Sequence, residues 1–323
     1  MRRIFAPEII SLYQKEYAIP TLLFIQQLYQ YEEDVVMIDF SHTRHITAAA
    51  ELTVLAHINY IQLFKQNVGC FQFSCKRSPV YHSLFIREGY LQRLKYMASK
   101  FRLGISFEDG ELVKIGKVAQ FSHQRAINLQ DLAEFEQDIK AKVQKQNPLA
   151  NLVPITAFFR SLKMGIGEVQ LNIMHHAYEE KRSTSEKSEM GFDVYIEKPW
   201  WQMFYYSPQN RQLTFIICDL GLGITESYIK QATQERHQHY DGISDVFMEA
   251  ISEGKSRFIG NGRGNGLSNV VKIAKETVGT SLAIFSGEIA FFVKNGKASS
   301  FSLEGSTITG TIVEWVFELP QWS

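Results

Sequence analysis

Apolar and polar positions change rhythm along this chain, and each rhythm predicts a different element. Val35-Val36-Met37-Ile38-Asp39-Phe40 is a compact β-branched run and reads as a buried strand. From Thr47 to Phe64, Leu52, Leu55, Ile58 and Leu63 recur at helical spacing. Gly69 ends that helix before a second strand, Cys70 to Ser74. Ser78 to Arg87 and Leu91 to Met97 suggest further helix around Gly89. This strand–helix alternation predicts a small α/β domain.

Asn128 to Asn147 is charged and helical in composition, and Pro148 breaks it. Residues 183–191 are polar and fit an exposed loop. Leu213 to Cys218 is a strand running straight into Asp219. From Glu226 to Phe258 the chain is rich in Gln, His and Glu, with core-forming positions only at Val246, Phe247 and Ile251. Two strands, Ala283–Val293 and Ile308–Leu319, are expected to close the fold.

Length and composition narrow the class. A chain of 323 residues suits two domains, and 45% hydrophobic with 21% charged residues describes a folded protein with ample core. The 34 basic residues balance 34 acidic ones, so no global charge favours nucleic acid or an anionic membrane. Cys70, Cys75 and Cys218 form neither an even disulfide set nor a zinc pattern. Glu8 and Lys15 interrupt the start, so no signal peptide is expected there. No uncharged apolar run approaches the ~20 residues of a membrane helix. The expected location is cytoplasmic.

Three boxes carry candidate chemistry. Asp219 stands at the end of a buried strand, followed by Gly221 and Gly223. A carboxylate there accepts the exocyclic amine of adenine and repels the carbonyl of guanine, a charged hydrogen bond worth about 1.5–3 kcal/mol. The glycines let the backbone approach the ring and turn away. Glu168 and Asn172 stand four apart on a predicted helix, with His175 or His176 completing the stripe. An Asn amide oxygen suits Mg²⁺, and Glu168 one turn away suits activation of a water aimed at a γ-phosphate. Gly260, Gly262, Gly264 and Gly266 then alternate before Leu267. Such a loop offers backbone N–H groups to phosphate at a helix N-terminus, with Arg263 and Lys255 adding positive charge.

Two decoys fall away. Gly254-Lys255-Ser256 resembles the tail of a P-loop, but Glu249 stands where its first glycine belongs. The glycine run also fails the dinucleotide spacing, whose last glycine falls on Leu267 or Asn269.

In order and spacing the boxes resemble the N, G1 and G2 boxes of the GHKL ATPase superfamily, across roughly 150–320. Gly310-Thr311 and its strand are similar to the Gly-Thr strand ending many such domains. The Glu168, Asn172, His176, Tyr178 order looks most like anti-sigma-factor serine kinases. More faintly, Val36 to Ser41 followed by Ile46 to Ala50 is similar to STAS domains, as are the Gly69 strand and the Arg87-Glu88-Gly89-Tyr90 turn. That family's phosphorylatable serine would fall near Ala48, which cannot be phosphorylated.

The resemblance implies an α/β chain with a STAS-like domain over 1–125, a connecting helix over 126–148 and a Bergerat-type α/β sandwich over 149–323. It implies ATP and Mg²⁺ as cofactors and a lid at 225–260. Asn172 would hold magnesium and His176 would lie beside the nucleotide. Asp219 would read adenine, with Thr311 near the base. Gly221, Gly223, Gly260, Gly262, Gly264, Gly266 and Leu267, with Lys255 and Arg263, would cradle base and phosphates. Three functions remain open: an ATP-hydrolysing switch with Glu168 as its base, a serine/threonine kinase acting on a protein partner, or a non-catalytic nucleotide sensor. Homodimerisation is compatible with each. Phe121-Ser122-His123-Gln124-Arg125 faintly resembles a phosphoacceptor box, but no proline follows.

Overall fold

The computed structural model describes residues 2–30, 35–65, 70–74, 115–121, 129–178, 199–207, 210–235, 242–252 and 266–319. The chain is mixed α/β, with both parallel and antiparallel pairing. Its first part runs β1 (Arg2–Phe5), β2 (Ile9–Ile10), α1 (Lys15–Tyr29), β3 (Val36–Asp39), β4 (His45–Ile46), α2 (Ala48–Phe64) and β5 (Phe71–Ser74). Strands β1, β3 and β5 form a parallel three-stranded sheet in that order. The short β2–β4 pair is also parallel.

The second part begins with β6 (Ile115–Phe121), α3 (Leu129–Gln146) and α4 (Val153–Asn172), which continues as a π-helical turn, Ile173–Ala177. Then come β7 (Trp200–Ser207), β8 (Gln212–Asp219), α5 (Ile224–Glu235), α6 (Ile243–Ile251), α7 (Gly266–Glu276), β9 (Thr280–Gly287), β10 (Ile289–Lys294), β11 (Lys297–Ser302) and β12 (Ile308–Glu318). One antiparallel seven-stranded sheet takes them in the order β11-β10-β9-β12-β8-β7-β6. Strand β6 lies inside the stretch read from sequence as the first domain, 1–125, yet forms an edge of this sheet.

Alternation sorts the strands' residues onto two faces. Ile217, Val313 and Ile284 face α4 and α7, in a core with Phe158, Leu162 and Val270. Cys218, Ile312 and Phe285 face the first part of the chain and share its core with Ile4, Ile38 and Leu55. The large sheet is therefore covered on both sides.

Helix α2 explains how. Its residues from Ala49 to Asn59 are all buried, right round the helix, as a helix enclosed on every side requires. It packs on α1 and on β7, β8 and β12. Two of its buried polar side chains are tied to neighbours: Asn59 Oδ1 accepts the Trp201 indole N–H at 2.9 Å, and Tyr29 Oη lies 2.6 Å from His57 Nδ1.

The reading of Ala283–Val293 as one strand is corrected. Gly287, at φ +58°, turns the chain within two residues, and the run becomes the β9–β10 hairpin. A second hairpin follows at Asn295-Gly296, adding β11. The readings at 78–97, at 183–191 and at His123 lie outside the described residues.

Candidate functional site

Asp219 is the last residue of β8. In register it faces Thr311 on β12, which faces Ser286 on β9. All three project from the helix-covered face, making one polar row at the end of an otherwise apolar surface. Asp219 Oδ1 accepts the Gly221 N–H at 2.8 Å, and the Thr311 N–H also donates to its carboxyl. Ser286 Oγ accepts the Ile224 N–H at 2.8 Å, donates to the Gly310 carbonyl at 3.0 Å and lies 3.2 Å from Thr311 Oγ1. Burial pushes the Asp219 carboxyl up to about 7 despite its two backbone donors.

The turn after Asp219 is clamped from two sides. Leu222 N–H donates to the Ala177 carbonyl at 2.7 Å, and Leu220 N–H donates to Tyr178 Oη at 3.0 Å. Tyr178 in turn donates to the Pro199 carbonyl at 2.6 Å. A Cβ at Gly221 would stand 2.1 Å from the Ala177 oxygen. The close approach this glycine permits is thus to the end of α4's π-helical turn. Gly310, at φ +76°, passes so near that a Cβ would stand 2.1 Å from the Asp219 carbonyl oxygen.

The second cluster lies between α4 and α7. Glu168 and Asn172, one turn apart on α4, both approach Gly266, the first residue of α7. A Cβ on Gly266 would stand 3.2 Å from Glu168 Oε2 and 3.5 Å from Asn172 Nδ2. A side chain there would press on the Glu168 carboxylate and meet Asn172 in ordinary contact. Asn269, one turn further along α7, donates through Nδ2 to Glu168 Oε1 at 3.2 Å. Asn172 Nδ2 is buried without a protein partner.

The two clusters hang from one helix. Glu168 and Asn172 sit on α4, and its π-helical extension delivers Ala177 and Tyr178 to the Asp219 turn. Wide turns of this kind recur at functional sites. His176 lies on that turn, half-buried, with its ring centroid 5.9 Å from that of exposed His175. Leu267 packs against the helix-side core. Lys255, Gly260, Gly262, Arg263 and Gly264 lie outside the described residues.

Three site residues escaped the sequence reading. Tyr178 was legible only as the last member of the Glu168 to Tyr178 order. Asn269 stands three residues after Gly266, on the same helical face, a signal available once α7 is known to begin there. Ser286, at a strand end, offered none.

A carboxylate and an amide oxygen at a helix N-terminus suit one hard cation that keeps phosphate and water ligands. The orphaned atom of Asn172 is its amide nitrogen, a donor that suits a phosphate or water oxygen. Among the described residues, no group of three or more His, Cys, Asp or Glu side chains gathers as a metal site. No helix among them is long and apolar enough to cross a membrane. No family model matches the chain, and no curated protein matches it.

Proposed function

We propose that this chain is a GHKL-type regulatory ATPase, binding adenine nucleotide with Mg²⁺ through a Bergerat-type domain and signalling to a protein partner. The observation that carries the reading is the joint arrangement of two clusters along α4. One end offers a buried carboxyl beside Thr311 for an amine-bearing base; the other offers Glu168 and Asn172 at the α7 N-terminus for a metal-bound polyphosphate. Bound magnesium would supply charge neutralisation at the phosphates, with Asn172 holding it. Glu168 would take the proton of the attacking water. The parallel β1-β3-β5 order, with α2 crossing between β3 and β5, supports a STAS-like first part that receives or transmits the signal.

The test is magnesium-dependent turnover of γ-labelled ATP by the full chain. Free phosphate that disappears in Glu168→Ala is the expected result. Label transferred to a protein partner would replace hydrolysis with kinase activity. Binding without turnover would leave a sensor. A fluorescent ATP analogue held equally by wild type and Asp219→Asn would remove the base-recognition argument.

A further inference from the structure

We infer that Asn269 is a positioning residue that holds Glu168 in its working orientation, a role resting on the hydrolytic reading above. A glutamate side chain has three rotatable bonds, and a general base works only with its lone pair aimed at a water about 2.6–3.2 Å away. Glu168 is half-buried, and its two oxygens have different surroundings. Oε1 receives the Asn269 Nδ2–H at 3.2 Å. Oε2 points toward Gly266, near the N-terminus of α7, where a phosphate would lie.

Asn269 therefore divides the labour between the oxygens. One is tied to α7, and the other stays free to receive a proton at the phosphate end. A neutral amide suits this task. A lysine or arginine there would pair with the carboxylate and lower its basicity. An aspartate has the same shape but no donor, and its charge would push the carboxylate away. The tie joins α4 to α7, whose first residue is Gly266.

The experiment compares the full-length wild type with Asn269→Ala, Asn269→Asp and Glu168→Ala. Phosphate release and affinity for a non-hydrolysable ATP analogue are measured on each. Misplacing a catalytic group by an ångström costs up to about a hundredfold. Asn269→Ala is expected to lower kcat between about tenfold and a hundredfold, with analogue affinity within about twofold of wild type. A merely structural role would make Asn269→Asp lose kcat and analogue affinity together. The expected result is instead a kcat at or below that of Asn269→Ala, with the acidic limb of its pH–rate profile moved to higher pH.

Turnover that Glu168→Ala abolishes but both Asn269 variants retain would overturn the positioning role and leave the hydrolytic reading standing. A parallel loss of kcat and analogue affinity would reassign Asn269 to packing. A wild type that binds nucleotide and releases no phosphate would remove both conclusions together.

Discussion

In the role proposed for it, Asp219 would combine a task that needs charge with surroundings that resist it. Accepting hydrogen bonds from an amine favours the ionised carboxylate, while burial raises its pKa to about 7. Adenine-nucleotide affinity is therefore expected to strengthen as pH rises through 7 and to level off above it. Below that pH the loss approaches about tenfold per unit. Calorimetric titrations from pH 6 to 8.5 on wild type and Asp219→Asn check this, because nucleotide titration affects both alike. Parallel profiles would remove Asp219 from base recognition. The residue types at this scale were readable in advance: Glu168, Asn172 and Asp219 announced themselves through glycines and spacing. What the glycines accommodate was not readable. Gly221 yields to Ala177, and Gly266 lies against Glu168, both tertiary neighbours invisible along the chain.

Among the elements, legibility followed hydrophobicity. Strand β3, helix α2 and strand β8 emerged near their expected bounds because each is a long or dense apolar run. Helix α1 went unread because Pro20 interrupts its pattern, although Ala18, Leu22, Ile25 and Leu28 are buried. Strand β11 went unread because Lys297-Ala298-Ser299-Ser300 is exposed on a sheet edge, where polar residues prevail. The Asn295-Gly296 turn beside it was a legible hairpin signal that the strand reading passed over. The joint between elements is tested at Tyr178, whose hydroxyl links the end of α4, the approach to β7 and the turn after β8. Tyr178→Phe leaves Leu220 N–H and the Pro199 carbonyl without that partner. A destabilisation of about 1–3 kcal/mol is expected in chemical denaturation, together with weaker nucleotide binding. A variant matching wild type in both would show that the turn holds itself.

Across the whole molecule, buried ionisable groups give stability an unusual pH dependence. Glu314, on the face of the sheet toward the first part of the chain, accepts a hydrogen bond from Tyr13, and burial raises its carboxyl to about 8. Asp219 is raised to about 7. Both acids bind more protons folded than unfolded in this range, so their contribution to stability rises as pH falls through 8 and 7. The slope is at most about 1.4 kcal/mol per pH unit for each group. Burial instead depresses His57 to about 3, so below pH 6.5 its protonation in the unfolded chain offsets one of the two. Nucleotide-free protein is expected to melt at higher temperature at pH 6.5 than at pH 8.5, with Glu314→Gln reducing the difference. A melting temperature that climbs steadily with pH would contradict the burial of these carboxyls.

The same enclosed surface has a consequence for communication. Modules joined by a tether influence one another through effective concentration, which depends on linker length and changes little when one module is moved. Here α2 is a single buried helix shared by both halves, touching the strand that ends in Asp219 and bonded through Asn59 to Trp201 on its neighbour. A disturbance entering at the first half reaches the Asp219 end as a displacement of packed side chains. Distance along the backbone does not enter.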